Sequence, residues 1–365
     1  MPETDFMRSF QPLAGLRVLD FSHVIAGPLA SFYLAQLGAS VTKVEGPDGD
    51  IMRKGRGLPA FVALNVGKDC IRLDLNNETD RASALTLASQ ADVLLDSLRP
   101  GVLDRFGLGA TELRLAHPRL IYCAISGFGR RGPWADRSAY DHVVQAATGM
   151  TLMAGGENDA PIKTGFPVVD SATGIIAALA ILATLRERDV TGHGRFIDVA
   201  MSAAAMQLMY PMACDALTRG TTPPRVGNQG YSGSPAADIF QARDGWLALG
   251  ANTPRQFVAL LQVLDLAALA FDPALFETPP SVSAPAKFLH SKDPAALRAA
   301  LAAAVRGRDA AELDAACAQA GVPAARVRTI AEFAVDALTA DGLCTVALAQ
   351  DDIRITSPGL GFRIS

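Results

Sequence analysis

The chain has no CxxC pair, and its five cysteines, Cys70, Cys123, Cys214, Cys317 and Cys344, are odd in number and scattered. That spacing argues against a disulfide framework or a thiolate zinc site and fits a reducing compartment. The five histidines, His23, His117, His142, His193 and His290, lack metal-ligand spacing, so no metal is expected. Three nucleotide and nucleophile signatures are missing as well: GxGxxG after the first strand, GxxxxGKS/T, and GxSxG. Charge of one sign is also lacking. A formal net charge of −4 leaves no electrostatic footprint for nucleic acid, although local basic clusters can still hold a phosphorylated ligand. The apolar stretch Ala172–Leu185 is too short to span a bilayer and reads as a buried helix. The acidic start Met1-Pro2-Glu3-Thr4-Asp5 has no apolar run behind it, so no signal peptide and no membrane partner are expected, and the expected location is cytoplasmic.

What is present is an alternation of short apolar runs and helical stretches. Leu16–Phe21 reads as a buried strand. Pro28 opens a helix that Gly38 stops, and Val41–Glu45 reads as the next strand. Cys70–Leu73, Asp92–Leu95, Leu120–Ile125 and Arg195–Val199 continue the strands, with helices over Glu78–Ser89, Ala110–Ala116 and Ala200–Cys214. Repeated strand–helix–strand units predict an α/β fold with a parallel sheet. At 365 residues the chain exceeds one ordinary core, so two domains are expected. The loop Thr221–Pro235, rich in proline and glycine, marks the boundary, and a hairpin over Ile239–Leu249 turns at Arg243-Asp244-Gly245 in the smaller α+β part.

Chemistry concentrates in a few places. Gly165–Gly174 puts Asp170 where a loop meets a long apolar helix. Asp is a favoured N-cap, and the free N–H groups of a first turn stabilise an anion, so Asp170 is expected to be ionised. A structural cap and a carboxylate nucleophile both fit that description. His23, in Ser22–Pro28 after the first strand, lies at the sheet edge where α/β proteins bind ligands; a turn histidine capping backbone fits equally. Arg99 and Arg105 follow another strand end, and Arg53, Arg56 and Lys68 follow the second. Each alone reads as solvated surface; together on one edge they suggest a polyphosphate ligand.

Taken in order, these segments resemble the family III CoA-transferases, the CaiB/BaiF group, which has the 2-methylacyl-CoA racemases as relatives. The resemblance rests on Leu13–Ser22 with Ala26-Gly27-Pro28, Leu37-Gly38-Ala39 with Val44-Glu45, Gly49-Asp50 and Arg53, and Leu64-Asn65 with Lys68. It continues through Arg99-Pro100-Gly101 with Arg105, Ser126–Gly129, Ala139-Tyr140-Asp141, Asp170, Gly192–Arg195, Asp244-Gly245-Trp246 and Gly321–Ala324. No single motif is decisive, but the ordered set spans nearly the whole chain.

The resemblance implies a large Rossmann-like domain built from both chain ends, 1–222 plus 331–365. A smaller α+β domain is inserted at 236–324, with linkers at 223–235 and 325–330. It also implies an interlocked, ring-like homodimer. Asp170 matches the catalytic aspartate, which attacks an acyl-CoA thioester, forms a mixed anhydride and then an aspartyl-CoA thioester, and passes CoA to a small carboxylic acid. No cofactor is tightly bound; CoA is substrate. By position, Ile25, Ala26, Leu73, Asp74, Leu75, Asn76, Ser97, Leu98, Arg99, Arg105, Arg137, Ser138, Ala139 and Tyr140 would contact CoA. His23, Tyr140, Gly230 and Gly233 would border the acyl group. Ile25 stands where formyl-CoA transferases have glutamine, Gly46 replaces an arginine that often follows the second strand's glutamate, and a glycine-rich active-site loop is only loosely echoed by Gly227, Gly230 and Gly233. Racemases pair the aspartate with a histidine where this chain has Tyr140. A phenol is a poor base at neutral pH, so a transferase is expected, with α-proton exchange as the alternative.

Overall fold

The computed structural model describes residues 10–283, 287–340, 345–350 and 353–364. The chain divides into two compact units, one of Met1–Met153, Pro161–Pro223 and Leu343–Ser365, the other of Ala154–Ala160 and Pro224–Gly342.

In the first unit the elements run β1 (Arg17–Phe21), α1 (Ala26–Gln36), β2 (Ser40–Glu45), α2 (Leu58–Asn65), β3 (Asp69–Arg72), α3 (Glu78–Gln90), β4 (Val93–Asp96), α4 (Ala110–Ala116), β5 (Ile121–Ser126), α5 (Asp141–Ala147), α6 (Val168–Thr191), β6 (Phe196–Ala200), α7 (Met201–Leu208) and α8 (Tyr210–Arg219). The six strands form one sheet in the order β3-β2-β1-β4-β5-β6, every neighbouring pair parallel. Side chains alternate between two buried faces, as a sheet covered on both sides requires. Val93, Leu95, Ile121, Cys123 and Ile125 meet Leu34 of α1 and Ala177, Ile181 and Leu185 of α6. On the other face, Leu94, Tyr122 and Ala124 meet Ala84 and Ala88 of α3 and Leu113 of α4. The strand order reverses between β1 and β4, which opens a crevice at their carboxyl ends.

Two elements differ from the sequence expectation. The helix expected over Ala200–Cys214 is broken at Met209 into α7 and α8. Pro211, in the first turn of α8, has no N–H to continue the earlier helix and would crowd its carbonyls. The helix carrying Asp170 is longer than its apolar stretch. α6 spans 24 residues and includes an 18-residue window of mean hydropathy 2.0, sufficient in length and composition to cross a membrane, but half of that window is buried in the unit.

In the second unit, β7 (Ala237–Gln241), β8 (Trp246–Gly250) and β9 (Ala324–Arg326) make an antiparallel sheet. The hairpin turns across Arg243-Asp244-Gly245 as expected from the sequence. Phe240, Leu247, Leu249, Phe257, Leu297 and Leu313 belong to its core. Its limits differ from those expected. Residues 325 and 326 are not linker, because they pair with β8. Ala154–Ala160 joins this unit because Gly156 bridges Val226, and the Arg225 guanidinium donates to the carbonyls of Ala154 and Ala160, the latter at 3.0 Å.

Candidate active site

Two chambers open at the carboxyl ends of the parallel strands. The smaller, about 250 Å3, lies beyond β1, β4 and β5 and is lined by His23, Ile25, Ser97, Arg137, Tyr140 and Asp170 among others. The larger, about 780 Å3, lies beyond β1, β2 and β3 and is walled mainly by apolar side chains such as Met52, Leu73, Leu75 and Phe106. His23, Val24, Leu98 and Tyr140 line both, so the two form one continuous groove.

Asp170 is not the cap of α6. The cap position is Pro167, and Asp170 is the third residue of the helix. The capping group is Asp141, 29 residues away at the start of α5. Its Oδ2 accepts from the backbone N–H of Val169 at 2.8 Å and of Asp170 at 3.0 Å. Its Oδ1 accepts from Gln145, a buried side chain that also donates to Thr164 Oγ1 and accepts from Thr164 N, fixing the loop before α6. The N–H groups expected to hold Asp170 as an anion therefore serve Asp141 instead. Among the described residues no group donates to the Asp170 carboxylate. Burial, with the Asp141 charge adding to it, pushes its pKa up to about 7. The expectation that Asp170 is fully ionised at neutral pH is thus corrected.

Two glycines set the turn in place. A Cβ on Gly174, one turn below Asp170, would lie 2.7 Å from the Ala26 carbonyl oxygen and 2.9 Å from Leu29 Cβ, so α6 reaches α1 this closely only without a side chain there. A Cβ on Gly127 would lie 2.1 Å from that of Ala139, so the end of β5 meets the Ala139–Tyr140 segment by the same device.

The opposite wall rests on buried charge. Lys68 donates to Asn65, Pro28 and Ser31 and pairs with Asp20 at 3.4 Å, with both side chains wholly buried. Burial pushes the Lys68 pKa down to about 8, against the pull of Asp20. Burial would raise Asp20, but Lys68 and Lys43 outweigh it and hold it below the usual carboxylate range. Lys43 pairs with Asp50 at 3.3 Å, and Arg53 grips Glu45 through two bonds of 2.7 Å. This lattice anchors Ser22–Ile25. Ser22 N donates to Asp20, His23 N to Ser97 Oγ, and Val24 N to Asp50. Val24 is held at φ 68°, a left-handed conformation that a β-branched residue avoids, at the wall shared by both chambers. The His23 ring opens on the chambers. The residue stays exposed, yet the hydration it loses to nearby protein holds its pKa below the usual histidine value.

The residues expected from the sequence fall into three groups. Ile25, Ala26, Ser97, Leu98, Arg99, Arg137, Ser138, Ala139, Tyr140, His23 and Asp170 line the smaller chamber, and Leu73, Asp74, Leu75 and Asn76 line the larger. Arg105 lines neither; its guanidinium lies 5.9 Å from the Phe106 ring centre, and it is Phe106 that borders the larger chamber. Gly230 and Gly233 belong to the second unit, where Gly230 N donates to Ala237 O and Gly233 N to Gly230 O, whereas both chambers are lined by the first. Of the basic residues grouped as a possible polyphosphate site, Lys68 is buried in the Asp20 pair and Arg53 is engaged by Glu45. Sequence reasoning missed Asp141 as the cap of α6. Its only signal was a carboxylate beside Tyr140, and nothing local ties it to a helix 29 residues on.

CoA-transferase family III matches the chain over residues 13–365. An acetyl-CoA:oxalate CoA-transferase of Acetobacter aceti is 35% identical over 342 residues, covering 92% of this chain and 85% of that protein. A succinate–glutarate CoA-transferase of Agrobacterium fabrum is 35% identical over 283 residues, covering 74% and 70%. The crystal structure of a CAIB/BAIF family protein from Brucella suis matches with a TM-score of 0.79 at 32% identity, covering 92% of this chain and 89% of that one. Rv3272 from M. tuberculosis matches with a TM-score of 0.81 at 32% identity, covering 95% and 91%.

Proposed function

The chain belongs to CoA-transferase family III and is a CoA-transferase, and from that premise we propose that it moves CoA between small carboxylic acids with Asp170 as the covalent nucleophile. One observation carries the reading: Asp170 lines the smaller chamber with no hydrogen-bond donor among the described residues satisfying its carboxylate. A desolvated carboxylate of raised pKa is more nucleophilic than an ordinary one, provided it is deprotonated when substrate arrives.

The cycle balances with no other reagent. An Asp170 oxygen attacks the thioester carbonyl of the donor, the C–S bond breaks, and CoA leaves as thiolate from a mixed anhydride. The thiolate attacks the aspartyl carbonyl and frees the donor acid, leaving an aspartyl-CoA thioester. The acceptor carboxylate attacks that thioester, giving a second anhydride and the thiolate. The thiolate then takes the acceptor acyl group and regenerates Asp170. CoA is substrate throughout.

The size of the smaller chamber favours short acids. Arg99 and Arg137 also line it without a carboxylate partner among the described residues, which supports an acid or acyl group that is itself charged. Short dicarboxylic acids meet both conditions, and the relatives' names point the same way. Tyr140 at the mouth, two-thirds exposed, supplies no second base for α-proton exchange, which supports transfer over racemisation. Exposed Ile175 and Leu179 on α6 support the interlocked homodimer, since apolar helix surface of this kind calls for cover. With acyl-CoA as substrate, the expected workplace is the cytosol.

Hydroxylamine tests the nucleophile. Incubated with an acyl-CoA donor, the protein loses activity and mass spectrometry finds hydroxamate at Asp170. Full activity after that treatment, or rapid α-deuterium uptake from D2O by a 2-methylacyl-CoA, sinks the reading. Light scattering that gives the mass of a single chain sinks the dimer.

A further inference from the structure

Among the described residues, one lysine lining the larger chamber has no carboxylate partner. Of the basic residues that line it, Lys43 is buried, donates to Ser22 O and pairs with Asp50. Arg53, next to the chamber's lining but not part of it, is engaged by Glu45 through two bonds and lies 4.2 Å over the Phe61 ring. On the β3 side, Asp74 accepts from Asn76 N and Nδ2 at 3.0 Å each. Lys54, between two short 3-10 turns after β2, lines the chamber, is exposed, and has no carboxylate partner among the described residues. Gly46 lines the same wall with no side chain, and a Cβ placed there would meet nothing within 4 Å.

These charges constrain which part of CoA sits where. If the thioester is to meet Asp170, it occupies the smaller chamber, and the nucleotide must extend through the shared wall into the larger one. The apolar sides of that chamber suit a purine. Of the groups on the nucleotide, the 3′-phosphate carries the most charge on a terminal position, and an ammonium is a natural partner for it. We propose that Lys54 holds the 3′-phosphate of CoA and makes the protein distinguish CoA from dephospho-CoA. This rests on the CoA-transferase reading for the ligand's identity, but not on the covalent cycle.

Binding by isothermal titration calorimetry tests it, using CoA and dephospho-CoA as probes of the full-length protein. The wild type should bind CoA more tightly. Lys54→Ala should weaken CoA roughly tenfold, the loss of one charge-assisted hydrogen bond, and leave dephospho-CoA unchanged. Lys54→Arg should retain the preference. Gly46→Arg, which adds a second cation into open space, should strengthen CoA and leave dephospho-CoA unaltered. Equal weakening of both ligands by Lys54→Ala, or of neither, overturns the proposal. Tight CoA binding with no acyl transfer leaves Lys54 standing and removes the transferase cycle. Failure of the wild type to bind either ligand removes both.

Discussion

Two sides of the same groove handle charge in opposite ways. Beneath Ser22–Ile25, each buried cation has a carboxylate partner: Lys68 with Asp20, Lys43 with Asp50. At the start of α6, the Asp141 carboxylate from α5 caps the turn that carries Asp170, and no cation meets either carboxylate among the described residues. The first arrangement fixes a backbone, including a valine in a conformation it would not choose. The second leaves one carboxylate unsatisfied and raises its pKa to about 7. A paired buried charge stabilises a shape, whereas an unpaired one stores free energy that an electrophile can release.

The largest expected effect breaks the second side. Asp170→Ala should reduce acyl transfer about 10⁴-fold, as loss of a covalent nucleophile does, with CoA binding retained. A kinetic assay that finds full turnover in this variant ends the assignment. Breaking the first side should act on the fold instead. Lys68→Ala strands the Asp20 carboxylate in the core and should cost about 3–5 kcal/mol in urea unfolding. A change below about 1 kcal/mol would mean that the Asp20–Lys68 pair does not stabilise the fold as described.

A third prediction concerns pH. Asp170 must be ionised to attack, so kcat/KM should fall about tenfold per unit below pH 7 and level off above it. In Asp141→Asn that limb should move to lower pH. The movement should be partial, because burial is the larger cause of the shift. An unmoved limb would show that Asp141 caps α6 without influencing its neighbour's charge.

The smallest effect is on stability. Asp170's folded pKa is raised above the ordinary carboxyl value of 3.8. Between pH 4 and 7 the unfolded chain gives up this proton while the folded chain keeps it, so the fold loses stability as pH rises through that window. Asp170→Asn should therefore change little near pH 4 and stabilise at pH 8. The gain should be about 1–2 kcal/mol, well under the full value of the shift because the carboxylate is partly solvated. Thermal unfolding at the two pH values measures it.

The parallel sheet was legible because Val, Ile and Leu runs fall between helical stretches, and a covered strand has no other composition available. The place of Asp170 in the first turn of a long helix was legible because a loop, a carboxylate and an apolar run follow in order. The cap supplied by Asp141 was not, since capping groups are usually read within the first turn and this one arrives from another helix. Lys68 misleads for a related reason: a lysine just before a strand looks solvated until its partners, Asp20 and Ser31, are seen to come from β1 and α1. The sequence puts the domain edge at Ala324, inside β9, because three residues carry too little pattern to register as a strand. The sequence shows Gly46 as a missing side chain, but only the fold puts it and Lys54 in the lining of one chamber.

The wall of His23, Val24, Leu98 and Tyr140 divides one groove into a large berth and a small one. On the proposed cycle, the nucleotide can stay moored in the large berth while only the acyl tip is exchanged in the small one. Acid selectivity can then drift through the lining of the small berth, with the grip on the carrier left untouched.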